Sequence, residues 1–322
     1  TRGKVPIGLG LSGSWLGTMI AMSSFGLDHV VGTTILGGIF YVLFALLIKF
    51  QPKVLKIFTP YILNLAVFMI AVNLIGTGVG LVMAAPVTGI VTIIGIALFS
   101  QFKHTKQFMF PLGILAGTLV HGLMYGLTST VSGAFIPAFV SPAFNTTTFV
   151  ASLIFFALAT EALGDSKLAA DVTGNKYEPD KVILGNGVAS IVAGLFGGMS
   201  VTTYSESCAY VRATGFAHPL AIVVAGILFI IMSFIPAVNY VIGFIPGAAL
   251  AGMLLYLFSL VGMSKISETH AKDDNELLVG ILGLAAFFLA PQLLPNISQI
   301  AVGMITMIVT HLVLQGIKKI KK

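Results

Sequence analysis

Residues 151–216 read ASLIFFALATEALGDSKLAADVTGNKYEPDKVILGNGVASIVAGLFGGMSVTTYSESCAYVRATGF. Hydropathy places three acids of this stretch inside apolar segments: Glu161 and Asp165 in one, Glu206 in another. A charged side chain at mid-bilayer costs roughly 2.5–3.5 kcal/mol on insertion scales, so three ionised carboxylates together cost on the order of 8–10 kcal/mol. A chain keeps such groups for a use, or neutralises them by protonation. This stretch is therefore expected to be the functional centre.

The composition around it sets the class. The chain has 322 residues, of which 57% are hydrophobic and 9% charged. Soluble domains carry roughly 25% charged residues, so the chain reads as a polytopic membrane protein rather than a soluble domain with one anchor. A single cysteine, Cys208, excludes a disulfide framework within the chain and a cysteine-built metal site. No cofactor or metal is expected.

Apolar runs of about 20 residues mark membrane spans, with shorter ones allowed where a span is broken. About twelve are expected, near 5–26, 29–48, 58–83, 85–100, 109–130, 146–164, 182–197, 200–214, 217–235, 238–262, 276–292 and 297–317, with ends uncertain by a few residues. The 17 Lys and Arg test this reading. They fall in alternate connections, from Arg2 and Lys4 through Lys49, Lys53 and Lys56 to the tail at Lys318, Lys319, Lys321 and Lys322, and the connections between carry none. This is the positive-inside pattern, and it puts both ends in the cytoplasm. Although the net charge is +6, it is shared among short loops rather than gathered on one face, which argues against nucleic-acid binding. The 165–181 and 264–276 stretches are expected to be the longest polar loops. His121 lies within a span, where a lone histidine is more often hydrogen-bonded packing than a proton relay.

Two stretches are poor helices. Gly8–Trp15 (GLGLSGSW) is crowded with Gly and Ser, and Gly197–Glu206 (GGMSVTTYSE) pairs glycines with β-branched residues. Gly is costly inside a helix, and Thr and Val favour extended backbone. Non-helical backbone at membrane depth survives only where protein or a polar cavity satisfies its amides. Interrupted spans at matching places in two halves point to a transporter's binding site; close helix packing through small residues is the plainer alternative. Glu161 and Asp165 stand four residues apart and share a helix face. No Lys or Arg lies in the interior of a span to pair with them, Arg212 standing near the end of the 200–214 run. Protonation, hydration, backbone N–H groups or a polar ligand remain as partners.

Taken together, Gly3-Lys4-Val5-Pro6 with the following Gly/Ser run, Glu161-Ala162-Leu163-Gly164-Asp165, Asn186-Gly187 through Gly197, and Thr202-Thr203-Tyr204-Ser205-Glu206 resemble the nucleobase–ascorbate transporter family, also called nucleobase:cation symporter family 2. The resemblance covers essentially the whole chain and begins at the family's third span, so the first two spans are expected to lie outside it. It implies an all-α polytopic fold of fourteen spans in two inverted seven-span repeats. In that fold the third and tenth spans are broken, each with a short strand, and the two strands meet beside the substrate. The implied domains are a substrate-binding core (1–50 and 146–235) and a gate (56–130 and 238–318).

The same resemblance implies that Glu161 hydrogen-bonds a nucleobase and that Glu206 binds it from the tenth span, with Tyr204 and Ser205 beside it. An aromatic residue of the third span should stack on the base; here Gly13 occupies the matching place and Trp15 stands nearby. Asp165, with Glu161, would couple transport to a proton, sodium being the other cation the family implies. The Glu161-to-Asp165 pattern is that of xanthine-type members and favours a purine over uracil, whereas Ser207 and Ala209 depart from the usual Asn-x-Gly after the tenth-span acid. The expected protein is a proton symporter importing a nucleobase across the plasma (inner) membrane, without enzymatic activity and commonly a homodimer. A sulfate-permease-like anion transporter shares this fold class, but three carboxylates suit an anion poorly. An intramembrane aspartyl protease fits less well, because Ala162 stands where its Gly-x-Gly-Asp motif requires glycine.

Overall fold

The computed structural model describes residues 8–11, 15–131, 139–174, 176, 178–203, 218–294 and 299–320. The Gly-rich start gives a strand, β1 (Leu9–Leu11), and a short helix, α1 (Leu16–Ser23). Helices α2 (Leu27–Phe50), α3 (Pro60–Val82), α4 (Pro86–Ser100) and α5 (Met109–Tyr125) follow. Next come α6 (Thr146–Ser152), α7 (Phe155–Thr173), α8 (Pro179–Leu195) and the second strand, β2 (Val201–Thr203). The remainder is α9 (Pro219–Ser233), α10 (Pro236–Ile242), α11 (Gly247–Ser267), α12 (Asp274–Leu293) and α13 (Gln299–Ile320).

Among the described residues, five helices (α2, α3, α11, α12 and α13) are long and apolar enough to cross a membrane, and α9 with α10 makes a sixth candidate bent by 98°. The shorter α4, with 15 residues, rises about 22 Å. Helices α4, α5 and α8 have 15, 17 and 17 residues, and the 146–164 stretch is divided between α6 and α7, so fewer helices pass on length than the sequence has apolar runs.

One expectation is corrected. Residues 165–173, read as the start of a long polar loop, continue α7 to Thr173. Lys167, Leu168, Ala169 and Ala170 are good helix formers, and the helix stops only where Gly174 turns left-handed at φ 66°. The span also starts in two pieces. Asn145 caps α6 in a capping box with Thr148, both bonds 3.0 Å, and a turn at Leu153 and Ile154 leads into α7.

The packing divides the chain into two compact units, one of Thr1–Ile70, Pro137–Arg212 and Met263–Lys322, the other of Ala71–Ile136 and Ala213–Gly262. Within the first unit α12 and α13 pack on the first half of α3. A Cβ at Gly280 would meet the Tyr61 hydroxyl, and one at Gly303 would lie 2.7 Å from Met69 Sδ. Helices α12 and α13 form a hairpin whose open end is tied by Lys318 Nζ to Asp273 Oδ2 at 2.8 Å. Asp273 also caps α12 by accepting from Glu276 N. The Lys318 ammonium holds the Asp273 carboxyl below the usual carboxylate range. Asp273 and the basic tail therefore share one end of the hairpin, as the alternation of charge requires.

The seam that places the site in this first unit runs between α2 and α8. A Cβ at Gly187 would lie 2.8 Å from the Gly38 carbonyl oxygen and 2.9 Å from Tyr41 Cβ, and Gly194 meets Ile35 and Thr34. The pairing order shows that the helices run antiparallel. Since the neighbours of Gly187 are backbone and Cβ atoms, Gly187→Ala must push the helices apart. The expected cost is about 1–3 kcal/mol, read as a lower melting temperature of the purified protein; an unchanged value contradicts this contact.

In the second unit α4 and α5 pack as closely. A Cβ at Gly117 would strike Thr92 Oγ1, and His121 Nδ1 is 3.0 Å from Thr88 Oγ1. His121 is thus hydrogen-bonded within its own helix pair, the plainer of its two sequence readings.

Candidate functional site

The site is built from the two strands and the helices that carry them. Val201, Thr202 and Thr203 are β-branched and favour extended backbone. They pair antiparallel with β1 in the register Leu9↔Thr203, Gly10↔Thr202 and Leu11↔Val201. The two stretches singled out as poor helices therefore meet, through their described residues.

Side chains from three helices hold β2. The Thr203 hydroxyl donates to Asp165 Oδ2 on α7 at 3.1 Å. The Thr202 hydroxyl accepts from Asn186 Nδ2 on α8 at a long 3.5 Å and shares a hydrogen bond with the Tyr41 hydroxyl on α2 at 3.4 Å. Ser190, one turn beyond Asn186, meets Ser200 Oγ at 2.9 Å and the main chain of Val201. Tyr41 is fixed by the edge of Phe155, ring centroids 4.8 Å apart at 89°. Thr202, Thr203, Asn186 and Ser190 are completely or almost completely buried, and Asn186 Oδ1 has no partner among the described residues.

Of the expected site residues, Asp165 is buried at 6% exposure and Glu161 is half-buried one turn before it. The shared face read from their spacing is present on α7. Trp15 is completely buried against α2, where a Cβ at Gly37 would lie 2.6 Å from its six-membered ring. Its Nε1 has no partner among the described residues. Gly13, Tyr204, Ser205 and Glu206 lie outside the described residues.

Sequence reasoning missed Tyr41, Ser190 and Ser200 and used Asn186 only as part of a motif. The available signal was a polar residue at i and i+4, Asn186 and Ser190, on one face of an apolar span. The arrangement offers a carboxylate pair on one helix beside two paired strands. It can hold a proton, and it can meet a polar ligand with acceptors from α7 and main-chain groups from the strands.

The family model Xan_ur_permease, described as "Permease family", matches residues 1–288. The chain is 27% identical over 294 residues to RutG of Escherichia coli (strain K12), named as a pyrimidine permease, covering 82% of this chain and 66% of that protein. It is 24% identical over 346 residues to the xanthine permease of Bacillus subtilis (strain 168), covering 97% of this chain and 77% of the relative. The chain thus spans about two thirds to three quarters of the length of these relatives. Among solved structures, the transmembrane domain of the cyanobacterial bicarbonate transporter BicA matches at TM-score 0.67 with 14% identity, over 96% of this chain and 84% of that one. That likeness concerns the fold.

Proposed function

Because the chain belongs to the xanthine/uracil permease family, the nucleobase–ascorbate transporters, we propose that it carries a nucleobase across the membrane, with a purine preferred and a proton as the coupling ion. The family is one of permeases and not of enzymes, and with its apolar helices the chain is a multi-pass membrane protein. The observation that carries the reading is the Thr203–Asp165 hydrogen bond, which joins a carboxylate of α7 to a broken span one turn from Glu161.

In this reading Glu161 accepts N–H bonds from the base and Glu206 binds it from the tenth span, with Tyr204 and Ser205 as further substrate-binding residues. Gly13 and Trp15 belong to the wall that stacks on the ring. Asp165 exchanges the proton, jointly with Glu161. Residues 1–50 and 146–235 act as the substrate-binding core and 56–130 and 238–318 as the gate, in a fourteen-span inverted-repeat protein of which this chain supplies about twelve spans. It works in the plasma (inner) membrane with both termini cytoplasmic, as a homodimer. The purine preference rests on Glu161 and Asp165 matching the xanthine-type pattern; relatives of both base classes lie at similar identity.

The test is ligand-dependent thermal stabilisation of the full-length protein with uracil, xanthine, hypoxanthine, guanine, urate, ascorbate, sulfate and bicarbonate. A ligand at a hundredfold its Kd stabilises the folded state by about 2.7 kcal/mol, a shift of a few degrees. A purine base is expected to give the largest shift. Stabilisation by sulfate or bicarbonate with none by any base establishes the anion-transporter reading instead.

A further inference from the structure

The Val201 N–H donates to Ser190 Oγ at 3.1 Å, and the Val201 carbonyl oxygen accepts from the same hydroxyl at 3.2 Å. In an antiparallel strand the N–H and C=O of one residue point to the same side, and that side alternates from residue to residue. Val201 therefore turns its main chain toward α8 and away from β1, although Leu11 is its register partner. The alternation leaves Gly10 and Thr202 as the pair that exchanges ladder bonds. At Val201 the outer edge of β2, which in a larger sheet would meet a third strand, meets a serine side chain.

That side chain is fully used. A hydroxyl has one hydrogen and two lone pairs. Ser190 donates to the Val201 carbonyl and accepts from the Val201 N–H and from the Ser200 hydroxyl, 2.9 Å away. Ser190 and Ser200 are completely buried. Strands of three residues carry too few ladder bonds to specify register on their own, and a one-residue slip turns every side chain to the other face. A slip of β2 would take the Thr203 hydroxyl away from Asp165.

We propose that Ser190 is a positioning residue for the nucleobase site, a helix side chain standing in for a third strand. It locks the register of β2 and keeps Thr203 on Asp165. It touches no substrate. The proposal rests on the nucleobase reading above for its effect on binding, while the register lock itself can be measured without ligand.

The experiment compares wild type, S190A, S190C and S190T in the full-length protein, reading base affinity, ligand-free melting temperature and hydrogen exchange of the peptide containing Val201. S190A is expected to bind base at least about tenfold more weakly, because two main-chain groups lose their partner, and to exchange the Val201 amide faster. S190T keeps the hydroxyl and is expected to stay within about threefold of wild type. S190C, a weak donor and acceptor, is expected to fall between, and it decides the matter if S190A does not fold. Affinity equal to wild type in S190A or S190C, with or without a lower melting temperature, overturns the proposal, as does unchanged protection of Val201. If wild type itself binds no base, the nucleobase reading fails and the exchange measurement alone decides the register lock.

Discussion

Glu161→Gln is expected to weaken nucleobase binding by about ten- to a hundredfold. A carboxylate is an acceptor at both oxygens, while the glutamine amide keeps one acceptor and presents a donor in place of the other. A base that offers adjacent N–H groups loses one bond and gains a clash of donors. Hydrogen bonds to charged groups contribute roughly 1.5–3 kcal/mol, which sets the range. The substitution is nearly isosteric, and Glu161 is only half-buried on α7, so the fold is expected to survive. Calorimetry on the purified full-length protein measures the change. A variant that binds every tested base as wild type does removes Glu161 from the site. Under the anion-transporter reading the sign reverses, because removing a negative charge strengthens anion binding.

Asp165→Asn is expected to leave base affinity within a few fold and to abolish the stimulation of uptake by an inward proton gradient. Asn Oδ1 still accepts from the Thr203 hydroxyl, so the 3.1 Å link to β2 is kept. The amide cannot take up and release a proton, and without that exchange the ligand shifts the conformational balance only through its own differential affinity. The measurement is uptake into proteoliposomes at two external pH values, with and without a protonophore. Wild type is expected to accelerate when the outside is acidic and the variant to show no response. Uptake that follows a sodium gradient and ignores protonophores assigns Asp165 to a cation site instead.

The parts of the site that follow one chain's periodicity were legible in the sequence. Glu161 and Asp165 share a face because they are four residues apart, and Val201–Thr203 is a strand because three β-branched residues follow two glycines and two small or flexible ones. That Gly8–Trp15 and Gly197–Glu206 are poor helices was legible from their residues, whereas the pairing of two strands was implied by the family resemblance. What stayed hidden depended on contacts between helices. Tyr41 reads as one more aromatic in an apolar span until β2 brings Thr202 to its hydroxyl. Ser190 is one of many small residues until its hydroxyl meets the main chain of Val201. The continuation of α7 to Thr173 was missed because the charge of Lys167 was read as a loop signal, although its helix propensity favours continuation. The packing of α12 and α13 on α3 depends on steric fits at Gly280 and Gly303, which hydropathy does not encode.

The strand pair also has a cost in time. Leu9 and Thr203 are partners about 190 residues apart, and a ribosome adds roughly 5–20 residues per second. The first half of the ribbon must therefore wait on the order of 10–40 seconds for the second to be made. During that interval β1 has no strand to satisfy its amides, and an unpaired amide in hydrocarbon costs several kcal/mol. The newborn segment must stay helical, stay near water or rest inside the insertion machinery until β2 arrives, so the strand pair forms late relative to the helices made between its two halves.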